Sequence, residues 1–326
     1  MSEVYHNLTF SFRSKATRRS IAIAGVSLIV IYGLIPNLNS LFGVDLRLKI
    51  PDHWLYAVLA FFSFMLTFGF STISYRLLAI KKIRLAQISL VQLGSSALNL
   101  LLPDGIGGIS LNYLFLRDKG LTRGSSALAV GLNNSIGVAG NITMLIILIS
   151  IFGADNSLLD VFTKHQRSLI YIVLAAFLAL MLLFLFLSSA FSMARKFRHN
   201  FGLALKRYQN HWFRILGAYG CSLGQASVTA TAFWLSLKAF NIELAFPSAF
   251  LIYSLSVLVG GFFPTPGGLG GVEASLVAAL VAVHGASTST ALSAVLAYRL
   301  LSYWLPVTIG AFALIGVHRL KLVLQD

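Results

Sequence analysis

Pro266-Gly-Gly-Leu-Gly-Gly-Val272 and Pro103-Asp-Gly-Ile-Gly-Gly-Ile109 are two versions of one motif, placed 163 residues apart. A second similarity, between residues 120–130 and 285–295, follows at an offset of 165 residues. Each motif is followed by a polar turn and then by a long apolar segment. The nearly constant spacing predicts an internal repeat; the alternative is that two Gly-rich turns are merely alike.

The glycines of these motifs suit a chain that reverses its direction inside a membrane. Backbone N–H and C=O groups at that depth are tolerated only where protein or a wet cavity satisfies them. Glycine permits close backbone approach and positive φ angles, and proline marks the end of the incoming half-helix. The returning half-helix then presents free N–H groups and the positive end of its dipole, which is an anion site. We therefore predict re-entrant hairpins near 85–117 and 246–284.

The composition places the chain in a bilayer. Of the 326 residues, 57% are apolar and 11% are charged, and the mean hydropathy is +0.82. A soluble globular domain carries about 25% charged residues, so this composition cannot cover a water-facing surface. At about 20 residues per crossing, the length leaves room for no more than about nine crossings and for no sizeable soluble domain. We expect residues 1–326 to form a single integral membrane domain.

The apolar segments and the basic loops together predict the topology. Six apolar segments are assigned as full transmembrane helices: 21–35, 53–79, 122–152, 168–190, 211–240 and 287–318. Cytoplasmic loops collect Lys and Arg. If segment 85–102 crossed alone, the basic cluster at 117–123 would lie outside; a hairpin removes that conflict. With both hairpins in place, 19 of the 25 basic residues lie inside and five outside.

This assignment makes the two repeats inverted relative to each other. Repeat 1 covers 53–152, repeat 2 covers 211–318, and their hairpins enter from opposite faces. The predicted fold is all-α, with about six full transmembrane helices plus two re-entrant helical hairpins. Inverted repeats of this kind occur in secondary transporters, with the site at the midplane. We expect a bacterial-type cytoplasmic (inner) membrane protein with both termini in the cytoplasm.

A few ionised residues fall at membrane depth, where an isolated charge costs at least about 2.5 kcal/mol. Arg299 lies about 18 Å into the last segment, at about 1.5 Å per residue. Glu273 lies at the second hairpin turn, so we expect the two to pair, either as a structural tie or as part of a site. Asp104 lies at the first turn, where a helix cap is its alternative role. The repeat offsets project Glu273 and Arg299 onto Ser110 and Asn134, which are uncharged.

The predicted substrate-binding residues are those of the two turns and the buried charges. They are Glu273, Arg299, Gly267, Gly268, Gly270, Gly271, Asp104, Gly105, Gly107, Gly108 and Asn134. The amides of the first repeat have two alternative roles, the lining of a hydrated path or interhelical hydrogen bonding. Residues 191–214 carry an apolar stripe among Arg and Lys, which predicts a cytoplasmic amphipathic helix on anionic lipid. No pattern for a cofactor, a metal site, ATP binding or a catalytic nucleophile is present.

The stretch Pro264-Thr-Pro-Gly-Gly-Leu-Gly-Gly-Val-Glu-Ala-Ser275, with Ala297-Tyr-Arg-Leu-Leu-Ser-Tyr-Trp-Leu-Pro306, resembles the lysylphosphatidylglycerol synthase transmembrane-region family. The first-half Leu-Leu-Pro-Asp-Gly-Ile-Gly-Gly is similar to the same family. The resemblance implies a flippase-like membrane domain, as in stand-alone members without the aminoacyl-transferase domain. This chain departs from the family in the first half, where Ile106 replaces a frequent Arg and Asn133-Asn134 replaces a Glu-Arg pair.

The sequence thus favours a non-enzymatic carrier that moves a phospholipid, or a lipid-linked phosphate such as a polyprenyl phosphate, between leaflets. Two other hypotheses stay open: a small-solute or ion transporter, and a non-transporting membrane partner of a lipid or glycan biosynthesis enzyme. The expected partners are membrane lipids, without nucleic acid, together with a second copy of the chain or a biosynthetic enzyme.

Overall fold

The computed structural model describes residues 48–102, 106–152, 208, 211–260 and 265–323. Within these ranges the chain is helical and has no strand, which confirms the predicted all-α class. The helices are α1 (Trp54–Leu78), α2 (Leu85–Leu101), α3 (Ile106–Asp118), α4 (Arg123–Phe152), α5 (Trp212–Ala239), α6 (Phe246–Gly260), α7 (Gly271–His284), α8 (Thr288–Arg299) and α9 (Leu305–Val323). A 3₁₀ turn, Pro266–Gly268, precedes α7, and a π-helical turn, Leu300–Trp304, joins α8 to α9.

Helices α1 and α5 form the central pair and run antiparallel along their whole lengths. At one end, the Asp52 N–H donates to the Ala239 carbonyl at 2.9 Å. In the middle, the Ser63 hydroxyl donates to the Val228 carbonyl at 2.9 Å. At the other end, the Tyr208 hydroxyl donates to the Leu78 carbonyl. Glycines of α5 allow this close packing, since a β-carbon added at Gly224 would lie 2.6 Å from the Phe70 ring and one added at Gly217 would lie 3.0 Å from the Leu77 side chain.

Two helix pairs are hairpins that open toward opposite ends of this central pair. The first hairpin, α2–α3, opens where the Lys81 ammonium donates to the Lys119 carbonyl. The second hairpin, α6–α7, opens at the other end. There the Asn241 amide donates to the Asp52 carboxylate at 2.7 Å, and the Lys49 N–H donates to Ser293 Oγ at 2.8 Å.

The charges of the described loops are divided between the two ends of the bundle. The basic end collects Arg76, Lys81, Lys82, Arg84, Arg117, Lys119, Arg123 and Arg214. The opposite end has Lys49, Lys238, Asp52 and Glu243, so its basic and acidic residues balance. This grouping agrees with the loop assignment made from charge bias. That the basic end faces the cytoplasm stays a prediction.

Four described helices are long and apolar enough to cross a membrane: Trp54–Leu78, Arg123–Ile147, Pro266–His284 and Thr288–Leu314. Three of them match expected full crossings, and Pro266–His284 belongs to the expected second hairpin. The 28-residue α5, expected as a full crossing, is long enough but less apolar because it carries Gly, Ser and Thr. Its packing against α1 explains this composition, since a helix face covered by protein need not be apolar. The segments 21–35 and 168–190, and most of the amphipathic helix 191–214, lie outside the described residues.

The last helix joins the two halves, because α9 packs closely on α2 of the first hairpin. A β-carbon added at Gly310 would lie 2.4 Å from the Leu93 carbonyl oxygen and 2.5 Å from Ala97 Cβ. Only glycine permits this approach of two helix backbones.

We predict that Gly310→Leu destabilises the protein by about 1–3 kcal/mol, because the added side chain forces α9 away from α2. The measurement is the thermal unfolding midpoint of the purified chain in detergent. Gly220→Leu is the matched control, since no atom lies within 4 Å of a β-carbon added there. An equal midpoint for the two variants would contradict the close α2–α9 contact.

We also predict that each hairpin returns to the face from which it starts. In a Cys221→Ser background, Lys82→Cys and Thr122→Cys are expected to react with a membrane-impermeant maleimide in inside-out vesicles. Glu243→Cys and His284→Cys are expected to react in right-side-out vesicles, because these residues are exposed at the opposite end. Labelling of positions 82 and 122 from different faces would show that α2 or α3 crosses on its own.

Candidate functional site

The tip of the second hairpin is a tight turn built from glycines. Gly267, Gly268 and Gly270 have φ angles of 62°, 67° and 86°, a region that favours glycine. A β-carbon added at Gly267 would lie 2.5 Å from the Tyr303 ring. At this point the chain therefore needs glycine both for its backbone conformation and for its close contact with the last helix. Gly271 is buried and begins α7.

Glu273 closes this turn from the first turn of α7. Its Oε2 accepts a hydrogen bond from the Gly270 N–H at 2.7 Å. Its Oε1 accepts one from Arg299 Nε at 2.5 Å. A carboxylate in the first turn of a helix satisfies an otherwise free N–H group and interacts favourably with the helix dipole. Glu273 is therefore both the cap of α7 and the counter-ion of Arg299.

Arg299 contacts the same turn through a second nitrogen atom, and its guanidinium group lies over the Tyr303 ring. Its Nη2 donates to the Gly267 carbonyl at 3.1 Å, and the guanidinium lies 5.4 Å from the centroid of the Tyr303 ring. The side chains of Arg299 and Glu273 are 9% and 16% exposed. The structure thus pairs the two residues that the sequence predicts to pair, and among the described residues theirs is the one ion pair within 4.0 Å.

The pair lies deep between the two ends of the bundle. Glu273 is eleven residues from the end of α7 and Arg299 eleven residues from the start of α8, which is about 17 Å in each case at about 1.5 Å per residue. The chain forms the π-helical turn Leu300–Trp304 immediately after Arg299. Such turns are frequent at functional sites, where they reposition a side chain that a regular helix would place elsewhere.

The first hairpin uses an amide where the second uses an ion pair. The Gly108 N–H, in the first turn of α3, donates to Asn99 Oδ1 of α2 at 2.9 Å. Gly107 and Gly108 are buried, and a β-carbon added at Gly107 would lie 2.5 Å from the Leu98 carbonyl oxygen. Both predicted glycines therefore serve the approach of α3 to α2. Asp104 and Gly105, predicted at this tip, lie outside the described residues.

A hydrogen-bonded network holds the first hairpin to α1. Gln92 Nε2 donates to Asn112 Oδ1 at 2.7 Å, and Asn112 Nδ2 donates to Ser95 Oγ at 2.8 Å and to the Gly108 carbonyl at 2.9 Å. The Ser71 hydroxyl of α1 donates to Gln92 Oε1 at 2.9 Å. Of the two roles left open for these amides, their burial and their side-chain partners favour interhelical hydrogen bonding.

The two hairpins meet at the ion pair. The Tyr303 hydroxyl donates to the Leu100 carbonyl, near the end of α2, at 3.4 Å. The turn at Gly267 also lies against the Leu100 side chain. The second tip, Arg299 and the end of α2 therefore form one cluster. Tyr303 and Leu100 were not among the predicted site residues; the sequence signal for Tyr303 is its spacing of four residues from Arg299, which places both on one helix face.

Asn134 lies apart from this cluster, in the wall of a cavity between α3 and α4. The cavity has a volume of about 480 Å³. Ser110 also lines it, so the two residues that the repeat projects from Glu273 and Arg299 share one cavity. The structure thus brings together the predicted residues of the second half and separates them from Asn134.

A double-mutant cycle tests the strength of the ion pair. We expect Glu273→Gln and Arg299→Met each to lower the unfolding free energy by about 3–5 kcal/mol, because each leaves the other charge buried without its partner. The double variant should cost much less than the sum of the two. Chemical unfolding in detergent measures all three, with the exposed Glu243→Gln as a control within about 0.5 kcal/mol of wild type. Additive losses would contradict a direct interaction.

Comparison with known proteins places this architecture in a family. The profile of the lysylphosphatidylglycerol synthase TM region matches residues 20–310. A UPF0104 membrane protein of Methanothermobacter thermautotrophicus is 36% identical over 78 residues, which is 24% of this chain and 23% of that protein. An uncharacterized protein of Synechocystis sp. is 32% identical over 112 residues, 31% of this chain and 34% of that protein.

The matched segments thus cover about a quarter and a third of these two curated relatives. The family profile covers far more, because it extends across both hairpins and the ion pair. This confirms the family resemblance carried by the Gly-rich turn and the Arg299 segment. The chain belongs to the family of the lysylphosphatidylglycerol synthase TM region and is a multi-pass membrane protein.

Proposed function

We propose that this protein carries an anionic, phosphate-bearing lipid from one leaflet to the other by alternating access. The observation that supports this most is the cluster at the second hairpin tip, where Glu273 and Arg299 pair deep between the two ends of the bundle, beside the end of α2. Ionised residues inside a membrane are costly, and they mark substrate pathways in many transporters.

The chemistry of the cluster suits a phosphate group. Arg299 has five N–H donors, of which the Nε donor binds Glu273 and one Nη2 donor binds Gly267. The start of α7 adds backbone N–H groups and the positive end of a helix dipole. The Glu273 carboxylate occupies both kinds of donor in this structure. We propose that it acts as a resident anion, which the phosphate displaces from Arg299 and the Gly270 N–H during transport.

The arrangement of the helices supports alternating access. Helices α1–α4 and α5–α9 follow in the same order, and we propose that they are inverted repeats covering 53–152 and 211–318. Two observations support this: α1 and α5, which occupy the same place in each set, run antiparallel, and the two hairpins open toward opposite ends. Rocking of one set against the other about the α1–α5 contact would expose the tips first to one face and then to the other.

The proposal makes the protein a carrier without catalytic chemistry, held in the cytoplasmic (inner) membrane with its basic end toward the cytoplasm. Its substrate is a phospholipid or a polyprenyl-phosphate-linked lipid. The Lys and Arg side chains of the basic end would attract anionic lipid there, since each contributes about 1 kcal/mol near a negatively charged surface. Lipid would thus concentrate at the face from which the first hairpin starts.

A leaflet-resolved assay tests the proposal. Fluorescent phosphatidylglycerol is placed in proteoliposomes, and its movement is followed by chemical quenching of the outer leaflet. We expect Glu273→Gln and Arg299→Lys to slow movement about tenfold or more, because each disturbs charge-assisted hydrogen bonds worth about 1.5–3 kcal/mol.

Glu243→Gln and Arg76→Lys are the matched controls, since both residues are exposed. Gln retains an acceptor for the Gly270 N–H, and Lys retains the charge, so each site variant keeps one of the native interactions even though its stability is lowered. Only monodisperse protein is compared. Movement at the wild-type rate in both site variants would overturn the role of the pair. Ion or solute flux without lipid movement would overturn the lipid substrate.

A further inference from the structure

The cavity between α3 and α4 lies in the first half of the chain, and the proposed transport site leaves it unexplained. Its volume of about 480 Å³ lies within the range of about 300–1,000 Å³ that small-molecule sites occupy. It is mainly apolar, with three side chains that offer hydrogen bonds. Its lining consists of Ile109, Ser110, Tyr113, Leu114, Ala127, Val130, Gly131 and Asn134.

The polar side chains of this α3–α4 cavity lack partners within the described parts of the chain. Ser110, Tyr113 and Asn134 make no hydrogen bond there, whereas nearby Gln92 and Asn112 are fully engaged. Ser110 and Asn134 are exposed. A polar group facing hydrocarbon without a partner is costly, so a ligand with hydrogen-bonding groups would stabilise this surface.

Two arginines lie just beyond the lining residues of the cavity, on the side of the basic end. Arg117 is four residues from Tyr113 on α3, and Arg123 is four residues from Ala127 on α4, so each lies on the cavity face of its helix. Neither arginine has a carboxylate partner among the described residues. The two guanidinium groups therefore add positive charge above an apolar cavity.

The polar groups continue inward from these arginines. Tyr113 lies about 6 Å from Arg117 along α3, and Ser110 lies about 10 Å from it, at about 1.5 Å per residue. Asn134 lies about 17 Å from Arg123 along α4 by the same rise. Ser110 is one turn from the start of α3, where the first hairpin reverses. The series thus leads from the basic end toward the hairpin tips.

We propose that the α3–α4 cavity is the binding track for the phosphate-bearing headgroup of an anionic phospholipid from the leaflet at the basic end. Arg117 and Arg123 bind the phosphate at the mouth. Tyr113, Ser110 and Asn134 then donate hydrogen bonds as the headgroup moves inward. The acyl chains stay in the bilayer beside the exposed Ile109. This inference rests on the proposed function for the fate of the lipid and names the route by which the lipid reaches the tips.

Ser110 and Asn134, which the predicted repeat projects from Glu273 and Arg299, are uncharged. This favours a route along which the headgroup moves, and not a site that binds the headgroup tightly. Ser110 and Asn134 offer neutral hydrogen bonds, which are weaker than charge-assisted ones, so a headgroup would not be trapped there. Charge at the mouth and neutral groups along the route together favour passage.

Photo-crosslinking in proteoliposomes of the full chain tests this binding without requiring transport. The probe is a phosphatidylglycerol with a diazirine close to its headgroup, diluted in phosphatidylcholine, and the adducts are mapped by peptide mass spectrometry. We expect adducts on peptides of α3 and α4. Arg117→Gln and Arg123→Gln should each lower adduct formation about fivefold, the effect of one basic residue near anionic lipid. Gly131→Leu, which fills the cavity, should abolish it.

The controls are matched by position. Gly137→Leu lies on the same helix as Gly131 and also has no atom within 4 Å of an added β-carbon, and Lys238→Gln removes a basic side chain of α5 at the opposite end of the bundle. Both should label as wild type does. Equal labelling by a phosphatidylcholine probe would overturn the headgroup assignment. Unlabelled α3 and α4 would overturn the site.

Two further outcomes separate this inference from the proposed function. Specific adducts without any movement of lipid between leaflets would support the cavity as a lipid site and overturn transport. Normal lipid movement with no adducts at α3 and α4 would support transport and overturn this route.

Discussion

The rest of the site depends on the Glu273 carboxylate, which holds the Gly270 N–H with one oxygen and Arg299 Nε with the other. Without it, the Gly270 N–H would lack its acceptor and the buried Arg299 guanidinium would lack its counter-ion, which is costly away from bulk water. The carboxylate joins a turn of the second hairpin to the last helix. Through Tyr303, that helix in turn contacts the end of the first hairpin at Leu100. One acidic side chain thus connects three elements that are distant in sequence.

The two halves solve the same backbone problem with different chemistry. Each hairpin leaves N–H groups free at the start of its returning helix, and each satisfies one of them with a side-chain oxygen. The second half uses Glu273, and the first half uses Asn99. An amide needs no counter-ion, and the residue that the predicted repeat projects from Arg299 is the uncharged Asn134, which lines a cavity. The second half therefore carries the buried ion pair, and the first half carries the cavity.

Tight contacts between small residues explain how the halves remain in register. The central α1–α5 pair is held by small side chains and by hydrogen bonds at both ends and in the middle. Gly310 brings α9 against the backbone of α2. In a bilayer the hydrophobic effect does little to bring helices together, so close van der Waals packing and polar contacts carry this association. A helix such as α5 can then hold Ser, Thr and Gly because protein covers it.

The membrane class, most helix positions, the grouping of the basic loops and the two residues of the buried ion pair can be predicted from the amino-acid sequence. These features follow from the lengths of apolar runs, from the distribution of Lys and Arg and from the cost of a charge in hydrocarbon. The bridging geometry of Glu273, the contact of Tyr303 with Leu100 and the placement of Ser110 and Asn134 in one cavity emerge from helix packing. Helices that are apolar on every face show no stripe to indicate which side meets which neighbour. Contacts between residues 203 positions apart, such as Tyr303 and Leu100, therefore depend on packing that no local pattern encodes.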